Sequence, residues 1–65
     1  MKICYEKYDV VYGKVVCGAK NGCYVENEQG TVFFLNTPLR VGTFLYGSIE
    51  KLSGRYPTIL LDSVC

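Results

Sequence analysis

Turn-forming residues divide this chain into five short segments of β-strand character, and this division constrains the fold more than any other feature. Clusters of Gly, Asn, Ser and Pro separate the segments. The segments occupy residues 8–17, 23–28, 31–35, 43–52 and 56–64. None of them shows the 3.6-residue period of an amphipathic helix. Five short strands joined by short connections predict an all-β fold, a small five-stranded antiparallel barrel that is closed or nearly closed.

The length and the N-terminal residues indicate what kind of protein carries these strands. A chain of 65 residues, of which 49% are apolar, predicts one folded domain over residues 1–65, with its core in about 8–64. The first residues include Lys2, Glu6 and Lys7, where a signal peptide needs an apolar stretch. No run reaches the roughly 18 apolar residues that span a bilayer. We therefore expect a soluble, cytoplasmic protein with no membrane contact.

The cysteine pattern predicts free thiols and no zinc site. Cys4, Cys17, Cys23 and Cys65 form no closely spaced pair, and the chain has no histidine. Zinc sites and disulfide frameworks in small chains are usually marked by such pairs. We expect the thiols to be mostly buried, as free cysteines usually are. The terminal Cys65 is the expected exception.

The residues that carry most enzyme chemistry are missing or scattered. Without histidine, acid–base catalysis would depend on carboxylates, lysine or tyrosine. The six acidic residues form no recognisable pair or metal-binding run, and the glycines stand singly at turns rather than in a phosphate-binding loop. We therefore predict that the protein is not an enzyme and needs no cofactor or metal.

A hairpin within residues 21–36, NGCYVENEQGTVFFLN, determines which aromatic residues face outward. An alternating apolar run meets a polar turn, and a second β-rich run follows. Because side chains in a strand alternate between its two faces, a continuous apolar interior fixes the orientation of the rest. The predicted interior contains Val15, Cys23, Val25, Val32, Phe34, Leu45 and Ile49, with Ile59 or Leu60 from the last run. The predicted outer surface contains Tyr12, Lys14, Tyr24, Glu26, Thr31, Phe33, Leu35, Tyr46 and Ser48.

Short motifs along residues 8–64 resemble the S1 RNA-binding domain. Gly13-Lys14-Val15 and Gly22-Cys23-Tyr24-Val25 are similar to its first hairpin, and Glu28-Gln29-Gly30-Thr31-Val32 is similar to the start of its third strand. Val41-Gly42 resembles the opening of its fourth strand, and Gly54-Arg55 the turn before its last. The cold-shock domain is also similar. Its two RNA-binding motifs resemble Lys20-Asn21-Gly22-Cys23-Tyr24-Val25 and Thr31-Val32-Phe33-Phe34.

Both resemblances imply an OB-type barrel that binds single-stranded RNA, or single-stranded DNA, by stacking bases on outward aromatic rings. Tyr24 and Phe33 are the predicted stacking residues, with Tyr46 and Tyr12 as lesser ones. Phosphates would be held by Lys14, Lys20, Lys51 and Arg55. The net charge of +1 predicts weak binding, because affinity for a phosphate backbone grows with the number of charges neutralised. The alternative is a protein-interaction module, such as an accessory protein of a phage or mobile element, that uses the same aromatic face to bind a partner or a second copy.

Overall fold

The computed structural model describes residues 5–65, and these residues form a closed β-barrel without a helix. The strands are β1 (Val10–Ala19), β2 (Gly22–Asn27), β3 (Val32–Leu35), β4 (Phe44–Lys51) and β5 (Thr58–Val64). Around the barrel they follow the order β1-β2-β3-β5-β4, with β4 paired to β1. The predicted all-β fold of OB type is confirmed. No helix in residues 5–65 combines the length and the apolar character needed to cross a bilayer.

The barrel is mixed rather than purely antiparallel, so that part of the prediction is wrong. Strands β3 and β5 are parallel over the pairs Phe34↔Thr58 and Leu35↔Ile59, while the other four neighbouring pairs are antiparallel. The reason is geometric. Strand directions cannot alternate all the way round a closed ring with an odd number of members, so a five-stranded barrel needs one parallel pair.

Strand β1 closes the barrel because it pairs on both of its edges. Its first half pairs with β4, from Val10↔Ser48 to Lys14↔Phe44. Its second half pairs with β2, and the register of that ladder shifts between Val15 and Cys17. A bulge of this kind bends a strand and increases its twist, which lets one strand belong to both walls.

The interior contains apolar side chains from all five strands. The buried residues are Val11, Val15, Cys23, Val25, Phe33, Leu35, Leu45, Ile49 and Ile59. This confirms the inward orientation predicted for the first, second and fourth strands, and it selects Ile59 rather than Leu60 on the fifth. Tyr5, Leu39 and Leu61 are partly buried against this core.

The predicted orientation of the third strand is wrong by one residue. Phe33 is fully buried, whereas Phe34 and Val32 are partly exposed. The cause is the hairpin turn. Asn27 pairs with Thr31 through its backbone N–H (3.0 Å), and its side-chain oxygen accepts hydrogen bonds from the N–H groups of Gln29 and Thr31.

This turn fixes the register of the whole hairpin. It leaves residues 28–30 as the loop, and Gly30 takes the positive φ of 83° that closes it. Val25 then lies opposite Phe33, and opposed residues share a face. A turn one residue longer or shorter would have reversed every side chain of β3.

Tyr5 covers one end of the barrel beside Phe33. The two rings meet edge to face, with centroids 5.3 Å apart. The Tyr5 hydroxyl accepts a hydrogen bond from Asn27 Nδ2 (2.9 Å) and donates one to Thr31 Oγ1 (3.4 Å). The segment before β1 is therefore tied to the turn of the β2–β3 hairpin.

Candidate functional site

Three aromatic residues and an arginine form a continuous patch on the outside of β2 and β3. The Tyr24 ring meets Phe34 at 5.6 Å and Tyr56 at 5.4 Å between centroids, in both cases edge to face. The Arg55 guanidinium lies over the Tyr56 ring, 5.9 Å from its centroid. We call this set of Tyr24, Phe34, Tyr56 and Arg55 the aromatic face.

Strand pairing and a short loop bring these residues together. Tyr24 and Phe34 are directly opposite in the β2–β3 ladder, where cross-strand aromatic pairs contact each other. Tyr56 and Arg55 belong to the loop between β4 and β5. The Phe34 N–H donates to the carbonyl of Pro57 at 2.8 Å, which holds that loop against β3.

Gly22 lets the Phe34 ring lie close to the start of β2. A Cβ added at this glycine would stand 2.0 Å from the carbonyl oxygen of Leu35 and 3.0 Å from Phe34 Cζ. Any side chain here would push β2 and β3 apart. The preceding turn carries Lys20, which is exposed and only two residues from the contact with Phe34.

The aromatic face is an open surface rather than a pocket. Tyr56 is 38% exposed, and Tyr24 and Phe34 are each partly exposed. Neither of two cavities on the barrel, one lined by Tyr12 and Phe44 and one by Tyr5 and Val10, includes any of these three rings. A surface of this kind offers ring faces for stacking and a guanidinium at its edge for an anion.

A second aromatic group lies on the outside of β1 and β4. Tyr12 faces Tyr46 across the two strands, with centroids 4.7 Å apart, and its ring is nearly parallel to that of Phe44, 6.0 Å away. Lys14 Nζ lies 5.9 Å above the Phe44 ring. Partial desolvation and the neighbouring Cys65 raise the pKa of Tyr12. We call Tyr12, Lys14, Phe44 and Tyr46 the β1–β4 cluster.

The structure divides the predicted site residues into three groups. Tyr24 and Arg55 belong to the aromatic face, and Lys20 lies in the turn beside it. Lys14 and Tyr46 belong to the β1–β4 cluster instead, together with the lesser candidate Tyr12. Lys51 is exposed at the end of β4, opposite Thr58 of β5.

Phe33 is buried and has no exposed ring, so the outward orientation expected for this candidate is wrong. Phe34 and Tyr56 belong to the aromatic face but were not among the predicted stacking residues. The turn chemistry of Asn27 and Gly30 would have identified Phe34, because it sets the orientation of β3. Tyr56 could have been identified by its position next to Arg55, in the turn before the last strand.

The described thiols are free but are not mostly buried. Cys23 is buried, whereas Cys17 and Cys65 are exposed, and Cys4 lies outside the described residues. The Cys23 thiol donates to the carbonyl oxygen of Thr37 at 3.3 Å. Desolvation raises the pKa of Cys23, which keeps this thiol protonated within the core. Among residues 5–65 no three His, Cys, Asp or Glu side chains lie close enough together to hold a metal ion.

Comparisons with known proteins bear on the fold alone. No protein-family model and no curated protein matches the chain. Among solved structures, the chain is similar to the solution structure of GSP13 from Bacillus subtilis, with a TM-score of 0.68 and 20% sequence identity. The match covers 95% of this chain and 58% of the GSP13 chain, so the barrel corresponds to just over half of that protein.

Proposed function

We propose that this chain is a nucleic-acid-binding module that binds single-stranded RNA on the aromatic face, weakly and with little sequence preference. The observation that carries the proposal is the contact of Tyr24 with both Phe34 and Tyr56, which joins β2, β3 and the β4–β5 loop in one aromatic surface. OB-type barrels bind oligonucleotides on strands 2 and 3 and on the loops between strands 1–2 and 4–5. Those four elements carry the rings, Arg55 and Lys20.

Stacking supplies most of the expected affinity. A base stacked on an aromatic side chain is worth about 1–3 kcal/mol, whatever the base. Three rings therefore offer roughly 3–9 kcal/mol, and subtracting the cost of ordering the strand leaves micromolar or weaker binding. Stacking on ring faces does not depend on base identity, which is the reason for the weak sequence preference.

Electrostatics adds a smaller contribution. Arg55 and Lys20 are the cations that flank the rings, and the whole chain carries a net charge of only +1. For single strands, the slope of log affinity against log salt is about −0.7 per phosphate neutralised. Two phosphate contacts would give a slope of about −1.4, a shallow dependence for a nucleic-acid binder.

The test is fluorescence anisotropy of a short labelled oligouridine at low salt, with oligothymidine as the DNA arm. Tyr24→Ala, Phe34→Ala and Tyr56→Ala should each weaken binding by about 5-fold to 150-fold, the equivalent of one stacked base. Tyr46→Ala is the matched control, because it removes an exposed tyrosine from the β1–β4 cluster. The proposal is wrong if the parent binds no oligonucleotide at low salt, or if Tyr46→Ala weakens binding as much as Tyr24→Ala.

The same measurement examines the alternative that the aromatic face binds a protein. Exposed aromatic residues also dominate protein–protein hot spots. An apolar protein contact tolerates rising salt, whereas RNA binding weakens with it. A parent protein that binds no oligonucleotide would therefore direct attention to protein partners of the same face.

A further inference from the structure

A cavity of about 190 Å³ opens where β1 leaves β2 to pair with β4. The β1–β2 ladder ends at Gly13↔Asn27, and from there the first half of β1 lies against β4. The gap between the diverging strands forms the cavity. Its walls are the rings of Tyr12 and Phe44, and the side chains of Glu26 and Glu28 complete them.

The Tyr12 and Phe44 rings stack on each other, and both line the cavity. They are nearly parallel, at 14°, with centroids 6.0 Å apart. The face of an aromatic ring carries negative charge density and attracts cations within about 6 Å of its centroid. The Lys14 ammonium already lies 5.9 Å from the Phe44 centroid, which shows that a cation can approach this ring.

The charged residues around the cavity favour cations as well. Two carboxylates, Glu26 and Glu28, and one ammonium, Lys14, line it, so its formal charge is −1. Glu28 lines the same cavity as Tyr12. A phosphate would be repelled here, in contrast to the aromatic face with Arg55.

We propose that this cavity binds the guanidinium or ammonium group of a basic side chain presented by a protein partner. The aromatic wall takes the flat face or the alkyl stem of the side chain, and the carboxylates of Glu26 and Glu28 take its charge. The site lies outside the aromatic face, so one barrel can hold an RNA strand and a basic segment of a protein at the same time.

Lys14 acts as an internal competitor for the same wall. It lies opposite both Glu26 and Phe44 in its two strand ladders. An incoming cation must displace the ammonium of Lys14 from the Phe44 ring. Neutralising Lys14 therefore strengthens binding of an external cation, whereas it would weaken binding of a phosphate.

The experiment is an NMR titration of the labelled protein with blocked arginine, blocked lysine and blocked citrulline, the uncharged analogue of arginine. The expected result is saturable amide shifts around Gly13, Asn27 and Glu28 with the two cations and none with citrulline. Equal responses to arginine and citrulline, or no saturable response, would overturn the proposal.

The same titration with three single variants tests the role of each lining residue. Phe44→Leu and Glu28→Gln should each weaken arginine binding about 2-fold to 5-fold, the range for one exposed cation–π contact or ion pair. Lys14→Gln should strengthen it by a similar factor, and a fall in affinity for this variant would contradict the role given to Lys14. A spectrum with native dispersion for each variant separates these effects from unfolding.

A second arm identifies the source of the cation. A short peptide with a central arginine between apolar residues should bind at least about 10-fold more tightly than blocked arginine. Its apolar residues can contact two exposed residues next to Tyr12: Tyr46, whose ring lies 4.7 Å from that of Tyr12, and Val10, two residues before Tyr12 on the same face of β1. Equal affinities would overturn the assignment to a protein partner. The affinity for oligouridine, measured in parallel, should not fall in Glu28→Gln, so failure at this cavity and failure at the aromatic face are distinguishable.

Discussion

Phe33 and Phe34 are adjacent in sequence and should respond in opposite ways to replacement by alanine. Phe33 is fully buried and contacts Tyr5, whereas Phe34 is partly exposed and contacts Tyr24. Phe33→Ala should greatly lower the denaturant concentration at which the barrel unfolds, and any binding that needs the folded barrel is lost with it. Phe34→Ala should leave the fold nearly intact and reduce RNA binding alone.

The magnitudes follow from the two environments. Removing a buried phenylalanine ring costs about 3–5 kcal/mol, part of which is the cavity left behind. Natural domains are stable by about 0.05–0.15 kcal/mol per residue, or roughly 3–10 kcal/mol for a chain of this length. Phe33→Ala therefore removes at least about 30% of the stability. Phe34→Ala loses a cross-strand aromatic contact at the surface, worth about 1 kcal/mol at most.

The assay is urea unfolding followed by far-ultraviolet circular dichroism. With a slope of about 1 kcal/mol per molar urea, typical of the smallest domains, the two midpoints should differ by about 2–4 M. If Phe33→Ala is unfolded without urea, Phe33→Leu and Phe34→Leu provide the same comparison with smaller losses of stability. Phe33→Leu should lose about 1 kcal/mol and Phe34→Leu almost none. A lower midpoint for the Phe34 variants than for the Phe33 variants would refute the register of β3.

Three further predictions concern single residues. Gly22→Ala should lower the urea midpoint strongly, because its new methyl group would stand 2.0 Å from a backbone oxygen of β3, whereas Gly18→Ala, where a Cβ has open space, should change little. Arg55→Gln should make the salt slope of oligouridine binding shallower by about 0.7, one phosphate contact, and an unchanged slope would exclude Arg55 from the site. Burial raises the pKa of Cys23 in the folded state. As pH rises above about 8.5, the ordinary thiol pKa, this thiol ionises first in the unfolded chain, and the free energy of unfolding therefore falls. Cys23→Ala should therefore show less loss of stability between neutral and alkaline pH than the parent in pH-dependent urea unfolding, and an identical loss would contradict this.

Much of the fold follows from local sequence signals. The five strands were predicted because turn residues separate short β-rich runs, and their predicted bounds agree with the structure to within a few residues. The inward residues of β1, β2 and β4 followed from strict alternation, since each of those runs has one apolar and one mixed face. One parallel pair follows from ring closure once five strands are accepted, and the strand order around the barrel makes it the β3–β5 pair.

The orientation of β3 could not be read from alternation in the same way. Val32, Phe33, Phe34 and Leu35 are all apolar, so either face of this strand looks suitable for a core. The decision lies in the turn, where the side chain of Asn27 closes a loop of residues 28–30. Hydrophobic pattern alone carries no information about that loop length.

The candidate site was predictable only in part for the same reason. The outward orientation of Tyr24 was predicted correctly because its strand alternates clearly, whereas Phe33 was chosen from a strand with no such pattern. Tyr56 is brought to the aromatic face by the contact of Phe34 with Pro57, which is a tertiary contact between segments more than 20 residues apart. Lys14 and Tyr46 lie in the β1–β4 cluster, apart from Tyr24, because the first half of β1 pairs with β4. This pairing is also a tertiary feature.

The most direct test of the aromatic face is to map which amide resonances shift when unlabelled oligouridine is added to the labelled protein at low salt. We expect the largest shifts on Tyr24, Phe34 and the 54–57 segment, with smaller ones in the turn at Lys20. Tyr46 and its neighbours on β4 should hardly move. Shifts centred on the β1–β4 cluster, or no shifts at all, would contradict the assignment of RNA binding to the aromatic face.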